Sequence, residues 1–289
     1  MQPKKLLATA LCICALTVST QAEALRYVFQ TPDMPSSKTP YGDNASAAHR
    51  AQAGDAKIYY ELYGQGDPIV ILHGGGLGSA YEMGGFVDQL KSSHQMIVIS
   101  SRGHGRSEIG HTPFTLDQRA DDIRAVLNDA KIKKPVTIIG FSDGGYSAYA
   151  FAVKYPQSVK KIVTIGAGEV LPTNKFFVFN LEDWKKYDAD FVAQQQKLMP
   201  EPDRWQEMLG MYEKMWNGAV ISKDMFSKIK CPVLLVNGEL DQNSPLLTAF
   251  AAYYELPDAH LSIIPNAGHQ CQATNFDAVW AVVKPFIEE

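Results

Sequence analysis

One serine lies where its hydroxyl could act as a nucleophile. Residues 136–146 read VTIIGFSDGGY, which places Ser142 in a G-x-S-x-G pentapeptide between an apolar strand and the start of a helix. A serine at such a turn is forced into a strained backbone conformation, and glycines flank it because a Cβ there would collide across the turn. The first N–H groups of the helix would stabilise negative charge nearby. The pentapeptide also occurs where a serine only caps a helix, but the flanking strand and helix favour a nucleophile.

A histidine and an acid that could activate this serine occur late in the chain. A serine hydroxyl is a poor nucleophile near neutral pH, so it needs a neutral imidazole and a carboxylate that holds the tautomer of the imidazole. Of seven histidines, His269 is favoured because it follows the last predicted strand. Asp241 and Glu239 are two acids at the end of the strand before it. No histidine has metal-ligand spacing to nearby cysteines or carboxylates.

The elements that must position these residues alternate between strands and helices. Apolar runs without polar alternation are typical of strands buried on both faces of a parallel sheet. The predicted strands are residues 57–63, 68–72, 96–100, 136–139, 159–165, 233–236 and 261–264. The clearest helix follows Thr115, which can form a capping box with Gln118. This alternation predicts an α/β fold with a mostly parallel, doubly wound sheet.

Residues 169–228 break the alternation. They carry many aromatic side chains and no convincing strand, so we expect a helical insertion. Placed over the strand ends where α/β sheets bind ligands, it would form a lid and an apolar acyl or alcohol pocket. The aromatic side chains could instead form a small core of the insertion itself. We expect most of them to do so and two or three to face the substrate.

The N-terminal part differs from the rest of the chain. Lysines followed by an apolar run at residues 6–18 indicate a secretory signal over residues 1–24, cleaved near Ala22 or Ala24. The run is shorter than the roughly 20 apolar residues of a spanning helix, so we expect a secreted or periplasmic protein with no stable membrane span after cleavage. Residues 25–56 lack periodicity, which predicts a surface arm before a domain over residues 57–289.

Composition limits the partners of this chain. It has 289 residues, 46% hydrophobic and 20% charged, with a formal net charge of -4. This profile is typical of one compact soluble domain. Its charges are spread along the chain, so no basic stripe could bind nucleic acid. Cys231 and Cys271, the cysteines left after cleavage, fall at opposite edges of the predicted sheet, and we expect two thiols.

Two further glycine-rich turns occur before the serine turn along the chain. HGGGLG at residues 73–78 and SRGHGRS at residues 101–107 each follow a predicted strand. With the serine turn, they resemble the α/β-hydrolase family over nearly all of residues 57–289. The best local matches are esterases and aminopeptidase-like members, such as valacyclovir hydrolase and proline iminopeptidase, and the triple glycine is also similar to meta-cleavage-product hydrolases. The resemblance implies the chain order Ser, Asp, His and assigns the acid to Asp241, with Glu239 as the fallback.

Acyl transfer also needs donors for the developing oxyanion, each worth about 3 kcal/mol. The serine turn supplies the N–H of Asp143, and the resemblance assigns the second donor to Gly75. A glycine loop can also hold phosphate, but no Lys-Ser/Thr follows it and no G-x-G-x-x-G spacing precedes a helix, which argues against nucleotide binding. His73 and His104 lie in these loops, where we expect them to hold the backbone through hydrogen bonds.

The Asp143 side chain allows two interpretations. A buried anion beside an oxyanion hole opposes catalysis unless something offsets it, so this acid could mark a substrate with an ammonium group, such as an amino-acid ester. The simpler interpretation, which we favour, is that it stabilises the following helix through the helix dipole by under ~1 kcal/mol. A carboxylate that points into the cavity would favour amino-acid esters or peptides, and one that points away would favour neutral esters.

Together these features predict a serine hydrolase that cleaves a carboxylic ester, an amino-acid ester or a small amide by two-step acyl transfer. No metal or organic cofactor is implied, and the expected partner is a small ester or amide. The same scaffold hosts cofactor-free haloperoxidases and carbon–carbon bond hydrolases, which remain alternatives. A third alternative is a ligand-binding protein without catalytic activity. Binding alone would not need this spacing of serine, acid, histidine and glycine loop.

Overall fold

A twisted, mostly parallel sheet forms the centre of the computed structural model, which describes residues 24–171 and 177–289. The strands are β1 (Ala48–Ala53), β2 (Ala56–Tyr63), β3 (Asp67–Leu72), β4 (His94–Ile99), β5 (Val136–Phe141), β6 (Val159–Ile165), β7 (Val233–Gly238) and β8 (Ala259–Ile264). Their order in the sheet is β1-β2-β4-β3-β5-β6-β7-β8. Strand β2 pairs antiparallel with both β1 and β4, and every other neighbouring pair is parallel. The predicted doubly wound α/β sheet is confirmed.

Helices cover both faces of the sheet. They are α1 (Gly84–Leu90), α2 (Leu116–Asp129), α3 (Asp143–Lys154), α4 (Leu181–Leu198), α5 (Trp205–Gly218), α6 (Lys223–Phe226), α7 (Leu246–Glu255), α8 (Cys271–Thr274) and α9 (Phe276–Glu288). Successive strand residues point to opposite faces, so Ile138 packs in the core under α2 and α3 while Ile139 packs in the core under α1 and α9. The side chain of Thr115 caps α2 by accepting the N–H of Gln118 at 3.0 Å.

The expectation that residues 25–56 form only a surface arm is wrong. Residues 48–53 form β1, which pairs along its whole length with β2. Tyr27, Val28 and Tyr41 are each at most 4% exposed. The sequence AHRAQA gave a weak signal because its inward positions are small alanines, and pairing at the sheet edge decides its conformation. The predicted signal peptide lies outside the described residues, apart from Ala24.

The insertion between β6 and β7 is helical in its described part, which contains α4, α5 and α6 and an isolated bridge between Val170 and Ile221. Asp188 interrupts α4 with non-helical backbone angles. Its carboxylate forms an ion pair with Arg26, with an Nη1–Oδ1 distance of 2.6 Å. This ion pair joins the N-terminal segment to the insertion, a contact that no pattern in the sequence predicts.

Parallel pairing brings the functional residues to one edge of the sheet. Leu72 at the end of β3 is paired with Gly140 of β5, and Gly238 at the end of β7 is paired with Ile264 at the end of β8. The loops that follow these strands therefore meet above the carboxyl ends of the sheet, where α/β folds bind ligands. Cys231 and Cys271 are free and buried. None of the helices described has the length and apolarity needed to cross a bilayer.

Candidate active site

Ser142 occupies a strained turn between β5 and α3. Its backbone angles are φ +48° and ψ −116°, a region that side-chain-bearing residues rarely adopt. The Ser142 N–H donates to the Ile165 carbonyl oxygen at 2.8 Å, which holds the turn against β6. A Cβ on Gly140 would overlap the carbonyl oxygen of Gly144, so the turn closes only because this position is glycine. The strain and the glycine follow the sequence prediction.

Three side chains predicted to act together are in hydrogen-bond contact. His269 Nε2 lies 3.0 Å from Ser142 Oγ, and His269 Nδ1 lies 2.8 Å from Asp241 Oδ2. The other Asp241 oxygen accepts the backbone N–H groups of Asn243 and Ser244, both at 2.8 Å. The carboxylate is therefore fixed from both sides, and its 0% side-chain exposure keeps water from competing for the imidazole.

The structure distinguishes the two acids at the end of β7. Glu239 is exposed and accepts the N–H of Asn266 at 2.9 Å, so it holds the loop that leads to His269 rather than the imidazole itself. Asn266 has φ +55°, which asparagine tolerates better than most residues. Asp241 is the acid that faces His269, in agreement with the position that the family resemblance assigned.

The two predicted oxyanion donors, Gly75 and Asp143, lie next to each other beside Ser142. A Cβ on Gly75 would lie 2.9 Å from the Asp143 Cβ and would overlap the Tyr212 hydroxyl. Asp143 is the first residue of α3, so its N–H has no partner within the helix. Within residues 24–171 and 177–289, neither N–H donates a hydrogen bond to the protein. Both are available to a ligand.

The Asp143 side chain points away from the cavity. Its carboxylate is buried, 3.9 Å from Arg119 Nε, and lies beside the Tyr212 hydroxyl. Burial raises the pKa of Asp143, and the Arg119 guanidinium opposes that rise. Arg119 is itself 2% exposed and stacks over the rings of Phe114 and Tyr212. Among the described residues that line the cavity, Asp143 does not occur.

An apolar cavity of about 260 Å³ opens above Ser142. We expect two or three aromatic residues of the insertion to face the substrate, and four of the described ones line this cavity: Phe177, Phe179, Tyr212 and Trp216. Val28, from the segment predicted to be a surface arm, also lines it. Within the part of the chain that the structure describes, no group of three or more His, Cys, Asp or Glu could hold a metal ion.

Comparison with known proteins agrees with this architecture. A family model described as the alpha/beta hydrolase fold matches residues 67–200, which include the glycine loop and the serine turn. The chain belongs to the α/β-hydrolase superfamily. The human protein named serine hydrolase BPHL is 24% identical over 268 residues, which cover 86% of this chain and 88% of the human protein.

Other proteins similar to this chain carry different names. The 2-hydroxy-6-oxononadienedioate/2-hydroxy-6-oxononatrienedioate hydrolase of Burkholderia vietnamiensis is 28% identical over 250 residues, 75% of this chain and 86% of that enzyme. A solved serine hydrolase involved in carbazole degradation has a TM-score of 0.71 at 19% identity, over 83% of this chain and 98% of that one. That structure shows the shared fold alone.

His73 and His104 hold the loops of this α/β-hydrolase. His73 Nε2 accepts the N–H of Ser101 at 2.9 Å, which leaves its Nδ1–H to donate to the Gly74 carbonyl oxygen at 2.6 Å. Burial lowers the pKa of His73 to about 4, so the ring is neutral and this tautomer persists at physiological pH. His104 Nδ1 lies 3.1 Å from the Arg102 carbonyl oxygen, and burial lowers its pKa as well.

Glu82 lines the cavity but was missed in the sequence. It lies in a short turn before α1, is 5% exposed, and accepts the Gly74 N–H through Oε1 at 2.6 Å. Burial raises its pKa to about 8, because the backbone N–H groups of Gly74 and Ser79 offset only part of the cost of burying the charge. A lone acid after a glycine loop resembles any surface glutamate in sequence, so only its burial distinguishes it.

Proposed function

We propose that this α/β-hydrolase cleaves carboxylic esters by two-step acyl transfer, with Ser142, His269 and Asp241 as its catalytic triad. The observation that carries the proposal is the continuous contact from Asp241 Oδ2 to His269 Nδ1 and from His269 Nε2 to Ser142 Oγ. The same two contacts define the triad of serine hydrolases on unrelated folds. A protein that only bound its ligand would need neither contact.

In the first step, the neutral His269 ring removes the proton of the Ser142 hydroxyl as its oxygen attacks the ester carbonyl carbon. Asp241 keeps the proton on Nδ1 and so leaves Nε2 free to accept. Negative charge forms on the former carbonyl oxygen, where the N–H groups of Gly75 and Asp143 can bind it. His269 then gives its proton to the alcohol oxygen, the ester C–O bond breaks, and the alcohol leaves.

In the second step, water reverses the roles. His269 accepts a proton from a water molecule as that water attacks the acyl carbon bound to Ser142. The same two N–H groups hold the second oxyanion, since the acyl carbonyl oxygen has not moved. The protonated imidazole returns its proton to the Ser142 oxygen as that bond breaks, and a carboxylic acid is released.

Apart from two acids, Glu82 and Glu169, the described residues that line the cavity carry no carboxylate, and its mostly apolar surface supports an uncharged, apolar acyl or alcohol group. Its described walls are mostly aromatic and aliphatic, and burial of apolar atoms against them supplies roughly 25 cal/mol per Å². The Asp143 carboxylate, which could have bound an ammonium group, is instead buried beside Arg119. We therefore propose neutral esters rather than amino-acid esters or peptides as substrates.

Carbon–carbon bond hydrolysis is the second candidate, because the relative from Burkholderia vietnamiensis carries that kind of name and covers 75% of this chain. A panel with a p-nitrophenyl alkanoate, an aminoacyl p-nitroanilide and a vinylogous diketone distinguishes the candidates. We expect kcat/KM for the alkanoate to exceed the other two by at least about tenfold. A preference for the diketone would favour carbon–carbon bond hydrolysis over ester hydrolysis.

The Ser142→Ala substitution tests the nucleophile. We expect kcat for p-nitrophenyl butyrate to fall at least about 10⁴-fold with an unchanged melting temperature, because the triad acts as a unit. Ser147→Ala is the matched control, since Ser147 lies one turn along α3, is 3% exposed, and makes no side-chain hydrogen bond to the described residues. Retained turnover in Ser142→Ala would identify another nucleophile.

We also propose that the protein is exported, with residues 1–24 as the signal and residues 57–289 as the main part of one hydrolase domain whose insertion acts as a lid. The apolar run at residues 6–18 after two lysines supports this. Mass spectrometry of the protein recovered from a bacterial periplasm should give a new N-terminus near Ala22 or Ala24. An intact N-terminus in the cytosolic fraction alone would contradict export.

A further inference from the structure

Glu82 lies behind the glycine loop, where its carboxyl group accepts a hydrogen bond from the backbone. Its Oε1 accepts the Gly74 N–H at 2.6 Å, and His73 Nδ1–H donates to the Gly74 carbonyl oxygen at 2.6 Å on the other side. Both hydrogen-bonding groups of Gly74 are thus occupied by buried side chains, since His73 is 0% and Glu82 5% exposed.

The geometry of the peptide unit connects these contacts to the oxyanion site. The Gly74 carbonyl and the Gly75 N–H belong to one planar trans peptide, so they point in opposite directions. Fixing the Gly74 oxygen towards His73 therefore fixes the direction of the Gly75 N–H. Glu82 holds the preceding N–H and so prevents Gly74 from rotating, which glycine otherwise permits.

We propose that Glu82 is a positioning residue of this active site: by holding the Gly74 N–H it aims the Gly75 N–H at the carbonyl oxygen of the substrate. The inference rests on the proposed ester hydrolysis, because Gly75 matters only if an oxyanion forms. In this role Glu82 acts through the glycine loop, as the acceptor of the Gly74 N–H.

The protonation state of Glu82 determines whether this arrangement helps catalysis. No described cation forms an ion pair with it. The described titratable groups that share a cavity with Glu82 are Tyr27, Tyr81 and Asp88 on one side and Tyr146, Glu169, Tyr212 and His269 in the substrate cavity. With its pKa raised to about 8 by burial, Glu82 is mostly an uncharged acid at neutral pH. Ionised, it would place a negative charge beside the growing oxyanion and slow the reaction.

Three variants separate positioning from charge. Glu82→Gln keeps an oxygen acceptor for Gly74 and cannot ionise, whereas Glu82→Ala removes the acceptor. Glu61→Gln is the matched control, because Glu61 is 0% exposed and also accepts backbone N–H groups, those of Gly42 and Asn44, but does not line the substrate cavity. Each variant is assayed with p-nitrophenyl butyrate from pH 6 to pH 10.

We expect the wild-type kcat/KM to fall by about tenfold above pH 8, and the profile of Glu61→Gln to match it. Glu82→Gln should keep the wild-type activity at pH 7 and show little of the fall above pH 8. Glu82→Ala should lower kcat at pH 7 by about tenfold or more, with KM changed less than about threefold. An alkaline decline that persists in Glu82→Gln, or an unchanged kcat in Glu82→Ala, overturns the role of Glu82.

The proposed function is tested separately in the same assay. Wild-type turnover that disappears in Ser142→Ala upholds ester hydrolysis whatever the Glu82 variants do. If the wild type neither hydrolyses the ester nor reacts with a fluorophosphonate, both proposals fall together. If Glu82→Ala does not fold, Glu82→Met takes its place, because methionine fills a similar space but offers the Gly74 N–H no oxygen acceptor; an unchanged kcat in that variant overturns the positioning role.

Discussion

At the scale of single residues, the site depends on how each polar group is buried. Asp241, Asp143 and Glu82 are all at most 5% exposed, yet their surroundings differ. Asp241 accepts two backbone N–H groups and faces His269, Asp143 lies beside Arg119, and Glu82 has only backbone donors. Asp241 can therefore orient the imidazole, Asp143 has the Arg119 guanidinium to offset its charge, and Glu82 is mostly protonated near neutral pH. Three acids thus have three roles set by their neighbours.

Glu82 should make the protein less stable at alkaline pH. Its pKa of about 8 in the folded state lies above the ordinary value of 4.5, so between these values the folded protein keeps a proton that the unfolded chain has lost. This contribution to stability is complete below pH 4.5 and is lost as the pH rises through about 8. Glu82→Gln should therefore raise the free energy of unfolding relative to wild type, by on the order of 3 kcal/mol more at pH 8 than at pH 5. Urea titrations at the two pH values measure it, and an equal effect at both would contradict it.

Asp143 should matter for stability rather than for substrate charge. Asp143→Ala leaves the buried Arg119 guanidinium without its acid, which we expect to cost about 3 kcal/mol in the free energy of unfolding. The ratio of kcat/KM for a neutral ester to that for the corresponding amino-acid ester should change less than about threefold, because the carboxylate does not line the cavity. A selective loss of activity on the amino-acid ester would show that Asp143 binds the ammonium group.

At the scale of elements, the insertion forms one wall of the substrate cavity. Trp216 of α5 packs edge-on against Tyr146 of α3, with ring centroids 5.0 Å apart, and is 7% exposed. Tyr212, one turn earlier, places its hydroxyl against Gly75. Helix α5 therefore contacts both α3 and the glycine loop, so its position determines the shape of the site.

Shortening Trp216 should change the length of the preferred acyl chain. Trp216→Ala removes an indole from the cavity wall, which should enlarge the cavity and cost about 3 kcal/mol in stability. We expect the ratio of kcat/KM for p-nitrophenyl octanoate to that for the acetate to rise several-fold. Tyr253→Ala is a suitable control, because Tyr253 is half-buried in α7 and does not line the cavity. An unchanged ratio would mean that the acyl chain lies elsewhere.

Whether a strand could be predicted depends on how strongly apolar its sequence is. Strand β6 was predicted at its observed bounds, residues 159–165, because its apolar run is buried on both faces. Strand β1 was missed, since only Ala51 and Ala53 face inward and alanine is a weak strand former. The helical insertion was predicted from aromatic residues without a strand period, but its contact with Arg26 depends on tertiary packing that local patterns do not encode.

At the scale of the whole molecule, the N-terminal segment is part of the hydrolase. Tyr27 and Tyr41 lie in the core beneath α1, and Val28 reaches the substrate cavity. Deleting residues 25–43 should lower the melting temperature by at least about 10 °C, because it removes two buried tyrosines and the ion pair between Arg26 and Asp188. Differential scanning calorimetry measures this, and an unchanged melting temperature would restore the surface-arm interpretation.

The candidate triad could be predicted from sequence because parallel strands end at one edge of the sheet. Ser142, Asp241 and His269 each follow a strand whose apolar run is recognisable, so convergence follows from topology. Glu82 could not be predicted in this way, since its partner is a backbone N–H in a glycine loop. The path of such a loop is fixed only by close packing in three dimensions.

Covalent labelling tests whether Ser142 is the nucleophile that His269 activates. The folded protein is treated with a fluorophosphonate, digested, and mapped by mass spectrometry, with His269→Ala treated in parallel. We expect one adduct, on Ser142, and a labelling rate at least about 10³-fold slower in His269→Ala, because the imidazole must remove the serine proton. Labelling at a different residue, or equal rates in the two proteins, would contradict it.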